Sequence, residues 1–288
     1  MYDLIIIGAG PAGISASLYA KRANLNVAVL YHGKSNLEQA EKIDNYYGFE
    51  NGIDANKLYN DGIKQAKNIG VDVKEEEVLN IEKLGEIFKV STTQSSYEAK
   101  TVILATGNKK VRPNIEGVAE FEGRGISYCA ICDGFFYRNK NVVVIGNGNF
   151  AVNEAKELEN IVGNITILTN GLEIENESNF EVNLKKIKKI SGQIKVEMIE
   201  FEDGTTMDVD GIFIALGEAG ASDFAKKLGV ITNGDTIKVN EKMETNIAGL
   251  YACGNVTGGL LQICKAVYEG AEAALEAVSY VRKNKEKR

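Results

Sequence analysis

Two cysteines, Cys129 and Cys132, stand three positions apart in this chain, and Asp133 follows at once. Two intervening residues let both sulfurs meet in a small ring, and an environment that favours one thiolate makes such a pair redox-active. Thiol–disulfide exchange proceeds through a mixed disulfide, so one cysteine must attack the partner while the other resolves the intermediate. Asp133 could shuttle the proton. These residues indicate dithiol–disulfide chemistry.

Zinc binding is the alternative use of these thiols, because Cys253 and Cys264 bring the number of cysteines to four. Structural zinc sites usually bring a second close pair of ligands. Cys253 and Cys264 are eleven positions apart, and His32 is the only histidine. A redox role is therefore favoured, and no metal site is expected.

The elements of a dinucleotide-binding fold open the chain. Residues 3–7 form a short apolar run, as expected of a buried parallel strand. Gly8-Ala9-Gly10-Pro11-Ala12-Gly13 follows directly and leads into a predicted helix. Gly8 permits the tight turn, Gly10 lets a pyrophosphate approach the backbone, and Gly13 allows the helix to pack closely on the strand.

A second strand–turn–helix unit lies in the middle of the chain. The apolar run 141–145 leads into Gly146-Asn147-Gly148-Asn149-Phe150-Ala151, and a helix is predicted from about residue 151 to 160. The repetition predicts an α/β protein. Other strands are expected at 26–31, 102–107, 165–168, 209–215 and 250–253, with a meander within 71–102. Other helices are expected at 11–23, 55–69 and 261–281, the last burying Ile263, Val267, Ala271, Ala274, Leu275 and Val278.

The composition is that of an ordinary soluble globular protein, with 44% hydrophobic and 25% charged residues. Its 288 residues suffice for about two domains. A net charge of -7 argues against nucleic acid as the main partner. No basic leader precedes the first strand, and no apolar stretch reaches the length of a membrane span. We expect a cytoplasmic protein without a membrane partner.

Together these features resemble the low-molecular-weight thioredoxin reductases, a family of flavoproteins, over nearly the whole chain. The segments that carry the resemblance are 8–13, 105–107, 123–136 and 249–255. The resemblance implies two Rossmann-like, three-layer dinucleotide-binding domains, the second inserted into the first. Residues 1–112 and 245–288 would form the FAD-binding domain, and residues 113–244 an NAD(P)H-like domain that carries the redox cysteines.

The resemblance also assigns roles to individual residues. Cys132 would face the flavin, Cys129 would attack the disulfide of thioredoxin, and Asp133 would supply or remove the proton. Asn255 stands where the family usually has an aspartate that binds the ribityl chain of FAD, and an amide can still form a hydrogen bond there. The implied FAD-binding residues are Gly8, Gly10, Pro11, Ala12, Gly13, Asn45, Thr106, Gly107, Gly254, Asn255, Gln262 and Ile263. A homodimer is implied as well.

The second glycine turn departs from the NADPH-dependent members of the family. Those members have a third glycine in the turn and, after the next strand, a run of cations that holds the 2′-phosphate. This chain has Asn147 in the turn, and residues 169–171 are followed by Glu173, Glu175 and Glu177. Three carboxylates would repel a phosphate. In this respect the chain is similar to the ferredoxin-dependent flavin thioredoxin reductases of anaerobic bacteria.

Reduced ferredoxin is therefore the expected electron donor, and thioredoxin the expected acceptor. Because ferredoxins are acidic, we expect a basic docking patch. The candidates are Lys109, Lys110 and Arg112; Lys185, Lys186, Lys188 and Lys189; and Arg282, Lys283, Lys285, Lys287 and Arg288.

Three other activities stay open on the same scaffold. The first is an NADH- or NADPH-dependent thioredoxin reductase with an atypical nucleotide site, in which Asn170 or a glutamate takes the ribose hydroxyls. The second is a dithiol oxidase that gives electrons to oxygen. The third is a non-catalytic flavin redox sensor.

Overall fold

A computed structural model describes residues 1–33, 35, 37, 41–107, 113–128, 130–175, 177–217, 220–234 and 236–286, without the side chains of Ile131, Cys132, Ser222 and Glu286. The chain divides into two compact units. Unit 1 comprises residues 1–109 and 220–288, and unit 2 comprises residues 110–219, so unit 2 interrupts unit 1.

The first part of unit 1 alternates strands and helices. Its elements are β1 (Tyr2–Ile7), α1 (Pro11–Arg22), β2 (Val27–Tyr31), β3 (Lys42–Ile43), β4 (Ile53–Asp54), α2 (Ala55–Asn68), β5 (Asp72–Glu75), β6 (Val78–Leu84), β7 (Ile87–Thr92) and β8 (Ser96–Leu104). The main sheet has the order β5-β2-β1-β8-β7-β6. β1, β2, β5 and β8 are parallel, whereas β6 and β7 form the predicted meander with the first half of β8.

Unit 2 has its own parallel sheet. Its elements are α3 (Val118–Phe121), β9 (Ile126–Ser127), α4 (Ala130–Asp133), β10 (Asn141–Ile145), α5 (Asn149–Leu158), β11 (Asn164–Leu168), β12 (Glu181–Asn183), β13 (Ile187–Ser191), β14 (Met198–Phe201), β15 (Thr206–Asp208) and β16 (Gly211–Ile214). The parallel sheet has the order β12-β11-β10-β16-β9, and β13, β14 and β15 form an antiparallel sheet.

The core of unit 2 follows the alternation of side chains along β10. Val142 and Val144 pack with the apolar face of α5, whereas Val143 and Ile145 pack with the antiparallel sheet. Successive residues of a strand point to opposite faces, so a strand buried on both sides is apolar throughout. Unit 2 is thus a three-layer α/β unit of Rossmann type.

The chain returns to unit 1 through α6 (Ala221–Lys227), β17 (Thr232–Asn233), β18 (Thr236–Ile237), β19 (Leu250–Ala252) and α7 (Ile263–Glu286). β19 adds to the main sheet, parallel to the second half of β8. α7 packs closely on α1: a Cβ at Gly270 would lie 2.1 Å from Ala12 O, so only glycine fits there. These findings confirm the predicted α/β class with two Rossmann-like units.

The segment that returns to unit 1 begins at residue 220 and includes α6. There the backbone N–H of Ala221 donates to Thr106 Oγ1 at 2.9 Å, and Phe224 is 1% exposed. Leu275, predicted to be buried, is 49% exposed, because small alanines such as Ala274 and Ala277 form the buried face of α7.

Candidate active site

The first glycine turn has two crowded positions and one open position. A Cβ at Gly8, whose φ is +110°, would lie 2.4 Å from Ala105 O, and a Cβ at Gly13 would lie 1.9 Å from Gly8 O. In the part of the chain that the structure describes, a Cβ at Gly10, by contrast, would meet only Ser35 Oγ, at 3.8 Å. Gly10 also caps the N-terminus of α1, where backbone N–H groups favour an anion. The turn therefore has room and polarity for a pyrophosphate.

An apolar cavity of about 210 Å³ lies beside this turn. Gly10 and Pro11 line it together with Leu37, Tyr46 and Ile263. Next to it, Asn45 Nδ2 donates to Gln262 Oε1 at 3.0 Å, although the two residues are 217 positions apart. The fold thus brings together Gly10, Pro11 and Ile263 around one cavity, and Asn45 with Gln262 at a direct contact.

The remaining candidate cofactor residues lie at the ends of β8 and β19. Gly107 and Gly254 have φ values of +75° and +81°, a conformation that favours glycine. A Cβ at Gly254 would lie 2.9 Å from Ala12 Cβ, so this turn reaches the start of α1. Asn255 follows in a single 3₁₀ turn, Gly254–Thr257, and is partly buried. The Thr106 hydroxyl accepts a hydrogen bond from the N–H of Ala221, so this hydroxyl already has one partner within the protein.

In unit 2, the short helix α4 carries Cys132 and Asp133 and is held at both ends. Ser127 Oγ donates to Asp133 Oδ2 at 2.7 Å. At the other end, the backbone N–H of Ala130 donates to Glu154 Oε2 at 2.8 Å, and Glu154 is 1% exposed. Cys129 and the Cys132 side chain lie outside the described residues. The contacts therefore fix the helix backbone and the carboxylate of Asp133.

Two large aromatic side chains follow Asp133 and face solvent. Phe135 is 66% exposed and Phe136 is 70% exposed. The guanidinium carbon of Arg138 lies 5.3 Å from the centre of the Phe135 ring, within the range of a cation–π contact. Burial, and secondarily the charge of Asp133, raises the pKa of the nearby Tyr137 hydroxyl. An apolar, cationic surface thus adjoins the cysteines in the sequence.

The second glycine turn is covered by the segment that follows β11. Asn147 Nδ2 donates to Glu173 O and to Glu175 Oε1, both at 3.3 Å, and the N–H of Glu175 donates to Asn147 O at 2.9 Å. A Cβ at Gly148 would lie 3.0 Å from Glu175 Oε2. A carboxylate thus lies directly against Gly148, the position in this turn that corresponds to Gly10 in the first turn.

Comparison with known proteins agrees with this arrangement. The family model described as "Pyridine nucleotide-disulphide oxidoreductase" matches residues 2–270. The chain belongs to this family. A thioredoxin reductase from Treponema pallidum (strain Nichols) is 34% identical, over 97% of this chain and 97% of its own length.

Two solved structures are similar to this chain over nearly its whole length. One is the atypical thioredoxin reductase TRi from Desulfovibrio vulgaris Hildenborough, with a TM-score of 0.91, 38% identity, and coverage of 98% of this chain and 99% of the other. The second is a ferredoxin-flavin thioredoxin reductase from Clostridium acetobutylicum, with a TM-score of 0.73, 35% identity, and 98% coverage of both chains. The chain is a thioredoxin reductase-type flavoprotein disulfide reductase, and the expected cofactor, FAD, is confirmed for this family.

The predicted basic patch on unit 2 is not a set of free cations. Lys185 Nζ lies 2.9 Å from Asp203, Lys188 Nζ lies 2.5 Å from Glu200, and Lys189 Nζ lies 2.8 Å from Glu116. Each carboxylate offsets one charge. Of the other candidates, Lys109, Lys110, Arg112, Lys287 and Arg288 lie outside the described residues.

The two remaining cysteines differ in environment. Cys253 is fully buried, and burial raises the pKa of its thiol far above the ordinary value, which makes it unreactive. Cys264 is exposed. Within the described ranges, no three His, Cys, Asp or Glu side chains are grouped to hold a metal ion, and no helix has the length and apolar character needed to cross a membrane.

Ser127 and Glu154 are not predicted by the sequence pattern. Ser127 ends a two-residue strand, and nothing local distinguishes its hydroxyl. Glu154 carries a weak signal, since it is an acid among the buried residues Ala151, Ala155 and Leu158 of α5. Such a buried charge in an apolar helix face indicates a partner across the fold.

Proposed function

We propose that this flavoprotein is a thioredoxin reductase that takes its electrons from reduced ferredoxin and not from a nicotinamide nucleotide. The observation that supports this choice is the contrast between the two glycine turns. Among the described residues a Cβ at Gly10 would meet only Ser35 Oγ, at 3.8 Å, whereas Glu175 and Asn147 cover the turn at Gly148. A dinucleotide pyrophosphate at the second turn would have to displace a carboxylate of its own charge sign. The ferredoxin-flavin thioredoxin reductase from Clostridium acetobutylicum is similar over nearly the whole chain, which supports the same donor.

The residues of unit 1 fit FAD as the cofactor. The turn at Gly10 and the N-terminus of α1 would hold the pyrophosphate. Asn45, Asn255 and Gln262 would offer hydrogen bonds to the rest of the molecule. The other FAD contacts that we propose are Gly8, Pro11, Ala12, Gly13, Thr106, Gly107, Gly254 and Ile263. A flavin accepts single electrons from a donor such as ferredoxin and releases a pair to a disulfide.

The chain's own residues then carry the exchange with thioredoxin. Under this proposal the Cys129 sulfur attacks the thioredoxin disulfide and forms a mixed disulfide, while the leaving thioredoxin sulfur takes up a proton. Cys132 next attacks the Cys129 sulfur, which releases the second thioredoxin sulfur and re-forms the Cys129–Cys132 disulfide. Asp133, held by Ser127, would supply the proton. The exposed Phe135 and Phe136 would contact thioredoxin.

The test is an anaerobic titration of the yellow holoprotein with NADPH, then NADH, then reduced ferredoxin. We expect only ferredoxin to bleach the oxidised flavin band, and thioredoxin to restore it. Rapid bleaching by either nicotinamide would contradict the proposal and favour a pyridine-nucleotide reductase with an atypical site. Cys129→Ser should abolish thioredoxin reduction while flavin bleaching by ferredoxin persists, and unchanged turnover in this variant would refute the assigned cysteine roles.

We also propose that the enzyme is a cytoplasmic homodimer, as the family resemblance implies. Light scattering of the purified holoprotein should give a mass close to twice 31.3 kDa. A measured mass of about 31.3 kDa, that of a monomer, at micromolar protein concentration would contradict the proposed dimer.

A further inference from the structure

Lys265 and Glu269 form a largely buried ion pair in the first turns of α7. Lys265 Nζ lies 3.1 Å from Glu269 Oε2, and the side chains are 15% and 10% exposed. Charges are costly to bury unless further hydrogen bonds satisfy them. The hydrogen-bond partners of this pair therefore indicate which segment of the chain the pair stabilises.

Both side chains bind the segment that follows β19. Lys265 Nζ donates to Gly254 O at 2.9 Å, to Thr257 Oγ1 at 2.9 Å and to Gly258 O at 2.5 Å. Glu269 Oε2 accepts from the N–H of Gly254 at 2.8 Å and from Thr257 Oγ1 at 2.9 Å. The pair thus satisfies both the amide and the carbonyl of Gly254.

This segment depends on such support for its shape. It is a single 3₁₀ turn, and the glycines at its two ends, Gly254 and Gly258, have φ values of +81° and +76°. A turn between left-handed residues leaves backbone groups without strand or helix partners, and buried groups of this kind must be satisfied by side chains. Asn255, inside the turn, moves with Gly254.

We infer that Lys265 and Glu269 are positioning residues for FAD, because they fix the turn that presents Gly254 and Asn255 to the cofactor. The inference rests on the proposed role of these two residues in the FAD site. Neither charged side chain needs to touch FAD, since each acts through the backbone of the turn.

A second ion pair that involves α7 provides a matched control. Lys242 Nζ lies 3.1 Å from Glu276 Oε1, and Glu276 is also on α7, but these side chains are 59% and 22% exposed. Lys242→Met therefore breaks an ion pair of equal length that does not hold the turn.

The experiment measures the dissociation constant of FAD from the holoprotein by the fluorescence gained as free FAD appears on dilution. We expect Lys265→Met and Glu269→Ala to raise it about tenfold or more, the factor that corresponds to one lost charge-assisted hydrogen bond. Glu269→Gln should recover part of the loss, because its amide oxygen can still accept the Gly254 N–H. Lys242→Met should stay within about twofold of wild type.

Hydrogen exchange at the Gly254 amide supplies a second readout and carries the test if Lys265→Met does not fold. Exchange should be faster in Glu269→Ala than in wild type and Glu269→Gln. Equal FAD dissociation constants and equal exchange across these variants would overturn the positioning role alone, leaving the proposed function intact. A wild-type protein that does not bind FAD would overturn the proposed function itself.

Discussion

The side-chain amide of Asn147 donates to the carboxylate of Glu175 at 3.3 Å, and a Cβ at Gly148, in the second glycine turn, would lie 3.0 Å from the same carboxylate. The strand, turn and helix around it repeat those of the first turn, so the backbone alone does not account for the different roles proposed for the two turns. The difference lies in two side chains. Asn147 stands where the resemblance implies a glycine in NADPH-dependent members, and Glu175 follows β11, after which the resemblance implies cations in those members.

Opening the second turn should create nucleotide binding. In the double variant Asn147→Gly, Glu175→Ala, the contact and one negative charge are absent, so a pyrophosphate can approach Gly148. We expect measurable NADH binding by calorimetry in the double variant and none in wild type. Glu177→Ala is the matched control, because it removes a neighbouring charge and keeps the Asn147–Glu175 contact. Equal NADH binding by the control and the double variant would show that the contact does not close the turn.

The buried carboxylate of Glu154 should stabilise α4, the short helix that carries Cys132. Glu154→Ala leaves the N–H of Ala130 without its acceptor, which should lower the free energy of unfolding by about 1–3 kcal/mol. Glu154→Gln keeps an acceptor oxygen and should recover most of that loss. Urea unfolding of the holoprotein gives the comparison. Glu157→Ala, on the same helix but partly exposed, should change stability little, and an equal loss in this variant would speak against a specific role of the Glu154 contact.

Thioredoxin reduction should depend on the exposed ring of Phe136. Aromatic side chains that become buried in an interface often dominate its binding energy. We expect Phe136→Ala to raise KM for thioredoxin about tenfold. Reduction of a small aromatic disulfide should be unchanged, since it needs no docking surface. Ile194→Ala removes an apolar side chain of the same unit that is 81% exposed, and should leave KM for thioredoxin as it is.

The sequence predicts the strands and turns whose formation depends on residues only a few positions apart. The run 3–7 and Gly8 predict β1 and the first turn, because strand and turn chemistry act over a few residues. The contact of Glu154 with Ala130 spans 24 positions and has no local signature. The exposure of Leu275 depends on which surface of α7 meets the core, and periodicity alone does not determine this. Likewise, charge counting predicts Lys188 as a docking cation, whereas a partner on another strand, Glu200, offsets its charge.

Stability should fall at alkaline pH because of Cys253. Burial, and secondarily the carboxylate of Glu269, raises the pKa of this thiol above its ordinary value of 9.0. Below about pH 9 the thiol is protonated in both the folded and the unfolded chain, and pH has no effect through this group. Above about pH 9 the unfolded chain loses the proton and the folded chain keeps it, so each further pH unit should remove about 1.4 kcal/mol of unfolding free energy.

Urea unfolding of wild type and Cys253→Ala between about pH 8 and pH 10 isolates this group, because every other titration is common to both proteins. We expect the two curves to run parallel below pH 9 and the wild-type curve to fall more steeply above it, whereas Cys264→Ala, at an exposed site, should follow wild type throughout. Parallel curves over the whole range would mean that Cys253 titrates alike in both states, contrary to its full burial.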